Sequence, residues 1–516
     1  MVETPVKLAI AIDARPASKN KSPKRAPTHA TTSLPTTPSP AKVDSVMNPT
    51  PHDTGRLVIA SNRLPPRQRD SNGTASRLAS VGGLVSALEP ALMDHGGLWF
   101  GWSGSTEHPD ALTASESVGP ITFSAVDISA DEEALYYNGF SNRTLWPLLH
   151  GFSPKAEIDR SSYVAYRDTN RRLAERLVAE LGSDDLLWVQ DYHLIPLGLE
   201  LRRLGWMGKM GWFLHTPFPP AETFAVLPWA AELLEALTHY ALIGLHTKRY
   251  VRNLYDSLGG ELPRGSVLGN AFAVSGRIAK IGAYPVGIDP SLFEGTSPPE
   301  DSSVLDLFSD LDEDHQILLG VDRLDYTKGI PLRLLAFERF LDNHPELHGK
   351  VTLVQVAVPS REGVQEYEDE RNHVDQLVGR INGRFSELHW APIRYLYRSY
   401  PREDLRAFYH RARVCMVTPL ADGMNLVAKE YVASQTADDP GTLILSKFCG
   451  AAETMRDALI VNPYDTDSCA DALYLGLTMP VSQRRARRES LMLGVREFTA
   501  TQWSNAFVND LRATTP

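Results

Sequence analysis

Short, unbroken apolar runs recur along this chain, and the stretches between them are too long for hairpins. LVIA occupies 57–60, LLWV 186–189, WFL 212–214 and LIGL 242–245. A second group follows: ILLGV at 317–321, TLVQVA at 352–357, VCMV at 414–417, TLIL at 442–445 and ALIV at 458–461. A run without polar alternation is buried on both faces, and parallel neighbours need long crossovers. Helical periodicity falls between runs, as at 331–341 and 426–434, so the fold class is α/β. Two such series predict two Rossmann-like domains facing a central cleft, because ligands of these sheets lie beyond the strands' carboxyl ends. The first domain is expected over 56–286 and the second over 287–482. The last segment, 483–516, reads as helical.

Composition narrows the function classes. Acidic residues number 63 against 52 basic ones, a net charge of −11, which argues against a general nucleic-acid binder. Three cysteines indicate a reducing compartment without a disulfide framework. No run of about 18 uncharged apolar residues exists, so no membrane span is predicted and the chain is expected to be cytoplasmic. The first 55 residues hold nine prolines, and seven basic against four acidic residues. Such a stretch buries too little to offset its ordering entropy, so a disordered tail is expected. There is no G-x-x-x-x-G-K-[ST] loop, G-x-S-x-G elbow, H-E-x-x-H helix or zinc-type cysteine spacing. The acidic run 310–314 precedes a strand and reads as a solvated loop, so no metal site is expected. The basic run 484–488 reads as a solvated helix face.

Four polar clusters sit where strands end. Arg323 and Lys328, in the DRLDYTKG stretch of 322–329, suit a diphosphate as a planar fork and a point charge. The alternative is an ion pair with Asp322 or Asp325 capping the next helix. In the second cluster Asp422 and Gly423 form a turn, and Met424, Asn425 and Leu426 open a helix whose free N–H groups can bind phosphate. Glu430, one turn on, can accept hydrogen bonds from sugar hydroxyls. The alternative is that Asp422 is a helix cap and Glu430 an exposed acid. Asp191 and His215 end two further strands and suit a sugar pocket. An aromatic and cationic group (Arg63, Trp102, Tyr137, Trp146 and Arg361) can hold a sugar ring and a phosphate, or can be ordinary core packing.

These stretches together resemble the α,α-trehalose-phosphate synthases, retaining glycosyltransferases of the two-domain GT-B architecture. The resemblance runs over roughly 56–512. It includes SNR at 61–63, GGL at 82–84, WFGWSG at 99–104, YYNGFSN at 136–142, LWP at 145–147, DYH at 191–193 and HTPFP at 215–219. It continues with DRLDYTKG at 322–329, PSR at 359–361, GRING at 379–383 and DGMNLVAKEY at 422–431. It implies that glucose passes from a nucleotide-glucose, UDP-glucose by default, to C1 of glucose 6-phosphate, with retention and without a metal or cofactor. By resemblance Arg323 and Lys328 hold the donor diphosphate, Glu430 the ribose, and Asp422 to Leu426 the transferred glucose and phosphates. His215 and Asp191 lie beside the reacting sugars. Arg63, Tyr137, Trp146 and Arg361 hold the acceptor phosphate, and Trp102 and Gly83 line the cleft. A homodimer or homotetramer is implied, as is a separate phosphatase for the product. The segment 483–516 is expected to pack back towards the first domain. Two other readings stay open: a sister transferase with an acceptor such as glycerol 3-phosphate, and a non-catalytic sugar-phosphate sensor.

Overall fold

The computed structural model describes residues 55–66, 68–69, 75–76, 87–89, 91–93, 96–109, 115–295, 304, 307–312, 314–361 and 364–515. Two large sheets organise them, and β2 (Gln68–Arg69) and β3 (Ala75–Ser76) pair in a short ribbon of their own. The first has ten strands: β1 (Leu57–Arg63), β4 (Gly97–Trp102), β5 (Glu116–Val118), β6 (Ile121–Val126), β7 (Leu186–Gln190), β8 (Lys209–Phe213), β9 (Leu242–Leu245), β10 (Ser266–Leu268), β11 (Ala271–Val274) and β12 (Arg277–Ala283). Their order is β10-β11-β12-β9-β8-β7-β1-β4-β6-β5. All neighbours from β12 to β6 are parallel, and antiparallel strands are added at both edges. The second sheet is wholly parallel: β13 (Gln316–Arg323), β14 (Val351–Val358), β15 (Ile393–Leu396), β16 (Ala412–Val417), β17 (Thr442–Ser446) and β18 (Leu459–Val461), in the order β15-β14-β13-β16-β17-β18.

Both sheets are doubly wound, and in each the chain leaves the first strand in one direction and returns to its other side. The switch falls between β1 and β7 in the first sheet and between β13 and β16 in the second. The crevice at such a point is open because the flanking crossovers run away from it. β1 and β13 share one pattern: six buried residues in succession, then an exposed arginine at the carboxyl end. Those arginines are Arg63 and Arg323. A register shift between Ser61 and Arg63 re-aims the first of them.

Several local features differ from the sequence reading. The carboxyl-terminal segment is two helices, Val481–Glu497 and Ala500–Arg512. The break comes at Thr499, whose extended backbone bridges to Ile288 while its hydroxyl caps the second helix. Trp503 and Phe507 of that second helix pack on Trp188 of β7, ring centres 4.9 and 4.6 Å away. The basic run is not a solvated face. Arg484 is buried and donates to Met479 O, Pro440 O and Asp439, while Arg485, Arg487 and Arg488 donate to loop carbonyls at Asp438, Asp457 and Gln435. Residues 1–54 of the expected tail, and the glycine turn with Gly83, lie outside the described residues.

Candidate active site

Two cavities open between the sheets' carboxyl ends. One, of about 330 Å³, is lined on the second-sheet side by Val321, Met424, Asn425, Leu426, Val427 and Glu430. The other, of about 370 Å³, is lined on the first-sheet side by Arg63, Tyr137 and Trp146, with Arg361 reaching in from the second. Asp191, His215, Arg323, Lys328 and Asp422 line both. The two cavities therefore meet at one group of polar residues, three of which follow strands that flank the switch points.

Arg323 ends β13 exposed, and among the described residues no carboxylate or hydrogen-bond partner engages its guanidinium. It lies over the Trp146 ring at 5.4 Å. Neither alternative ion pair of the sequence reading occurs for it. Asp322 is buried and pairs with Arg333, which also donates to Gln355 Oε1 and Thr418 Oγ1 at 2.9 Å each. Asp325 caps the short turn Tyr326–Lys328 through Thr327 N at 2.9 Å. Lys328 instead donates to Asp422 Oδ2 at 2.6 Å, which occupies one of its three protons. Asp422 is thus the lysine's partner rather than a helix cap. Burial alone would raise Asp422, but the charge and hydrogen bond of Lys328, with Asn425, hold it below the ordinary carboxylate value.

The helix expected to open at Met424 begins at Val427. Asn425 blocks an earlier start with a left-handed backbone at φ 71°, and its side chain donates to Asp422 Oδ2 and accepts from Ala428 N. The first turn of any helix carries N–H groups with no intrahelical acceptor, and here Asn425, Leu426 and Val427 line the cavity. Glu430 lies on the same helix. Burial raises it above the ordinary glutamate value, opposed by Tyr409 Oη donating to Oε2 at 2.8 Å. Gly423 does not line the cavity. A Cβ there would lie 1.9 Å from the His215 carbonyl oxygen, so its lack of a side chain lets the two lobes touch.

On the other side, Asp191 follows β7 with φ 69° and accepts from His215 N at 3.2 Å. Burial raises it to about 6, against the opposing hydrogen bonds of His215 and Tyr192 and the charges of Arg323 and Arg361. Gln190 places its amide nitrogen towards Trp188 O, leaving Oε1 to accept from His215 Nε2 at 2.9 Å. Burial, with His246 nearby, keeps His215 neutral, so Nδ1 is free to accept. Arg361, at φ 48°, stacks over Trp146 at 3.9 Å and pairs with Asp325 Oδ2 at 3.3 Å. Tyr137 stacks on His193 and rides on a 13-residue π-helix, Glu133–Leu145. Trp102 is buried behind Arg63 and Tyr137, 5.2 Å from the guanidinium, and supports both rather than lining the cavity. Sequence reasoning passed over His150, His193, Ser360, His246 and Val286, which also line these cavities. Of these, His193 and Ser360 carried a signal, as members of the 191–193 and 359–361 stretches.

Among the described residues, no group of three or more His, Cys, Asp or Glu is placed to hold a metal ion, and no helix is long and apolar enough to cross a membrane. The sequence profile of glycosyltransferase family 20 matches residues 55–513. The chain is 40% identical over 463 residues to the trehalose-6-phosphate synthase of Enterobacter sp. (strain 638), covering 90% of this chain and 96% of that protein. A UDP-forming α,α-trehalose-phosphate synthase of Burkholderia xenovorans, solved in complex with glucose-6-phosphate, superposes with a TM-score of 0.83 at 38% identity, over 89% of this chain and 100% of that one. The E. coli structure bound with UDP-2-fluoro glucose gives 0.84 at 38% identity, over 90% and 100%.

Proposed function

The chain belongs to glycosyltransferase family 20, and from that premise we propose that it transfers glucose from UDP-glucose to glucose 6-phosphate, releasing α,α-trehalose 6-phosphate and UDP with retention at the transferred carbon. The observation that carries this reading is the pair of cavities meeting at Asp191, His215, Arg323, Lys328 and Asp422. The cavity on the second-sheet side takes the nucleotide sugar. Its ribose lies against Glu430, and its diphosphate lies between Arg323, Lys328 and the start of the helix at Val427. The other takes glucose 6-phosphate, its phosphate held by Arg63, Tyr137, Trp146 and Arg361.

Charge develops on the leaving diphosphate as the glycosidic bond breaks. Fixed cations and helix N–H groups stabilise that charge without reorganising. Arg323 suits this task because no carboxylate among the described residues engages its guanidinium. The neutral Nδ1 of His215 and the carboxylate of Asp191 accept hydrogen bonds from sugar hydroxyls and fix the reacting carbon beside the acceptor. Closure of the lobes excludes water, which would otherwise hydrolyse the donor. The same reading includes an assembly of two or four copies, and a separate phosphatase acting on the product.

The test is nucleoside diphosphate release by the purified chain with glucose 6-phosphate and UDP-, GDP- or ADP-glucose, without added metal. The product is identified by mass and by phosphatase conversion to trehalose. Turnover with UDP-glucose is expected. Arg323→Ala is expected to lower kcat by about a hundred- to a thousandfold with an unchanged melting temperature. Absence of trehalose 6-phosphate with every donor would refute the reading.

A further inference from the structure

Lys429 stands one residue before Glu430 on the helix Val427–Ser434 and is 1% exposed. Its Nζ donates to the carbonyl of Val286 at 2.6 Å, and among the described residues no carboxylate pairs with it. A buried ammonium facing a neutral acceptor is an expensive arrangement. A methionine would fill the same space without that cost, so stability does not account for the charge. The position does. Val286 follows β12 at the passage between the two sheets, two residues before Ile288 bridges to Thr499. Val286 and His246 line the same cavity as Met424, Leu426 and Glu430, and the Lys429 charge also acts on His246. One hydrogen bond thus joins the helix that presents Glu430 to the segment on which the two lobes are hung.

We propose that Lys429 is a positioning residue for the donor: its ammonium ties the helix Val427–Ser434 to the inter-lobe passage at Val286 and so holds the donor cavity in its binding geometry. The inference rests on the reading that this cavity takes a nucleotide sugar. Burial lowers Lys429 to about 8. The titratable groups facing it are His246, after β9, and Cys449, after β17, with Asp422 behind them. Burial takes His246 down to about 3 and pushes the Cys449 thiol up, while Asp422 lies below the ordinary carboxylate value. None of these three changes charge near pH 8, so a change of the tie there belongs to Lys429.

The experiment uses the full chain, with UDP binding by calorimetry beside steady-state kinetics. Lys429→Met is expected to raise the UDP Kd and the UDP-glucose KM about tenfold, to leave the glucose 6-phosphate KM unchanged, and to leave the melting temperature equal or higher. In the wild type the donor KM climbs above pH 8, and in Lys429→Met it does not. Lys429→Gln keeps a neutral donor for Val286; it is expected to recover part of the affinity and to share the flat pH profile. An unchanged UDP Kd in Lys429→Met overturns the inference. So does an equal rise in both KM values with a lower melting temperature, which is the signature of a merely structural lysine. Wild type that binds no UDP sinks the functional reading, and this inference with it.

Discussion

The Trp146 ring serves two arginines at once, Arg361 at 3.9 Å and Arg323 at 5.4 Å. A cation held over an aromatic face keeps its hydrogen-bond donors free at the edge, where an anion can take them. One tryptophan thereby sets the spacing between Arg361 and Arg323. Asp191 makes the pH dependence of the site readable. Burial raises it to about 6, so on the acid side its carboxyl is protonated and one of its two oxygens becomes a donor. The expected outcome is that kcat/KM for UDP-glucose, at saturating acceptor, falls as pH drops below about 6. A phosphate ester titrates in the same range, so the diagnostic is Asp191→Asn, which should be slower overall yet lack the enzyme's share of that limb. At the wall of the second-sheet cavity, Arg333 answers for Asp322, both of them buried. Arg333→Met strands that carboxylate and is expected to cost about 3–5 kcal/mol in urea denaturation, whereas Arg333→Met with Asp322→Leu should recover much of the loss.

At the scale of elements, Arg63, Asp191, His215 and Arg323 are placed by where a strand stops. β1 and β13 end on Arg63 and Arg323 because six buried positions consume the strand before the chain reaches solvent. These strands were legible, since continuous apolar runs bounded by polar turns admit few other readings. The strands β10 and β12 and the half-exposed β15 were not, because partly solvated strands carry no such run. The π-helix under Tyr137 was equally hidden. Its mean hydrophobic pattern is weak, and its i→i+5 bonding depends on what Tyr136 and Phe140 pack against rather than on local propensity. The turn at Asp422 and Gly423 shows how little room the elements leave. Gly423→Ala must displace the His215 carbonyl. A shift of that size at His215, which lines both cavities, is expected to lower kcat on the order of a hundredfold in steady-state assays, with both lobes still folded by circular dichroism.

At the scale of the molecule, the site exists only where two sheets are brought face to face. The carboxyl-terminal helix Ala500–Arg512 secures this by returning to β8 and β9, burying Trp503, Phe507 and Leu511. The crossing at Val286 to Ile288 and Thr499 is tight: a Cβ on Gly287 would lie 1.5 Å from the Phe498 carbonyl oxygen. Residues 1–53 precede the stretch, 55–513, that the family profile matches. Deleting them is expected to leave kcat and both KM values unchanged, and a large loss of turnover in the truncated chain would show that they serve the site. By itself the sequence determined the α/β class, two sheets, the strands that carry Arg63, Asp191, His215, Arg323 and Asp422, and the family. All of these are written locally, in apolar runs and in polar strings that follow them. Only the tertiary structure decided the partners: that Lys328 binds Asp422, that Asp322 belongs to Arg333, that Arg323 meets no carboxylate among the described residues, and that Lys429 reaches Val286. Each partnership joins residues from different strands, helices or lobes, and sequence spacing holds no information about which of several nearby opposite charges will be within 3 Å once the sheets close.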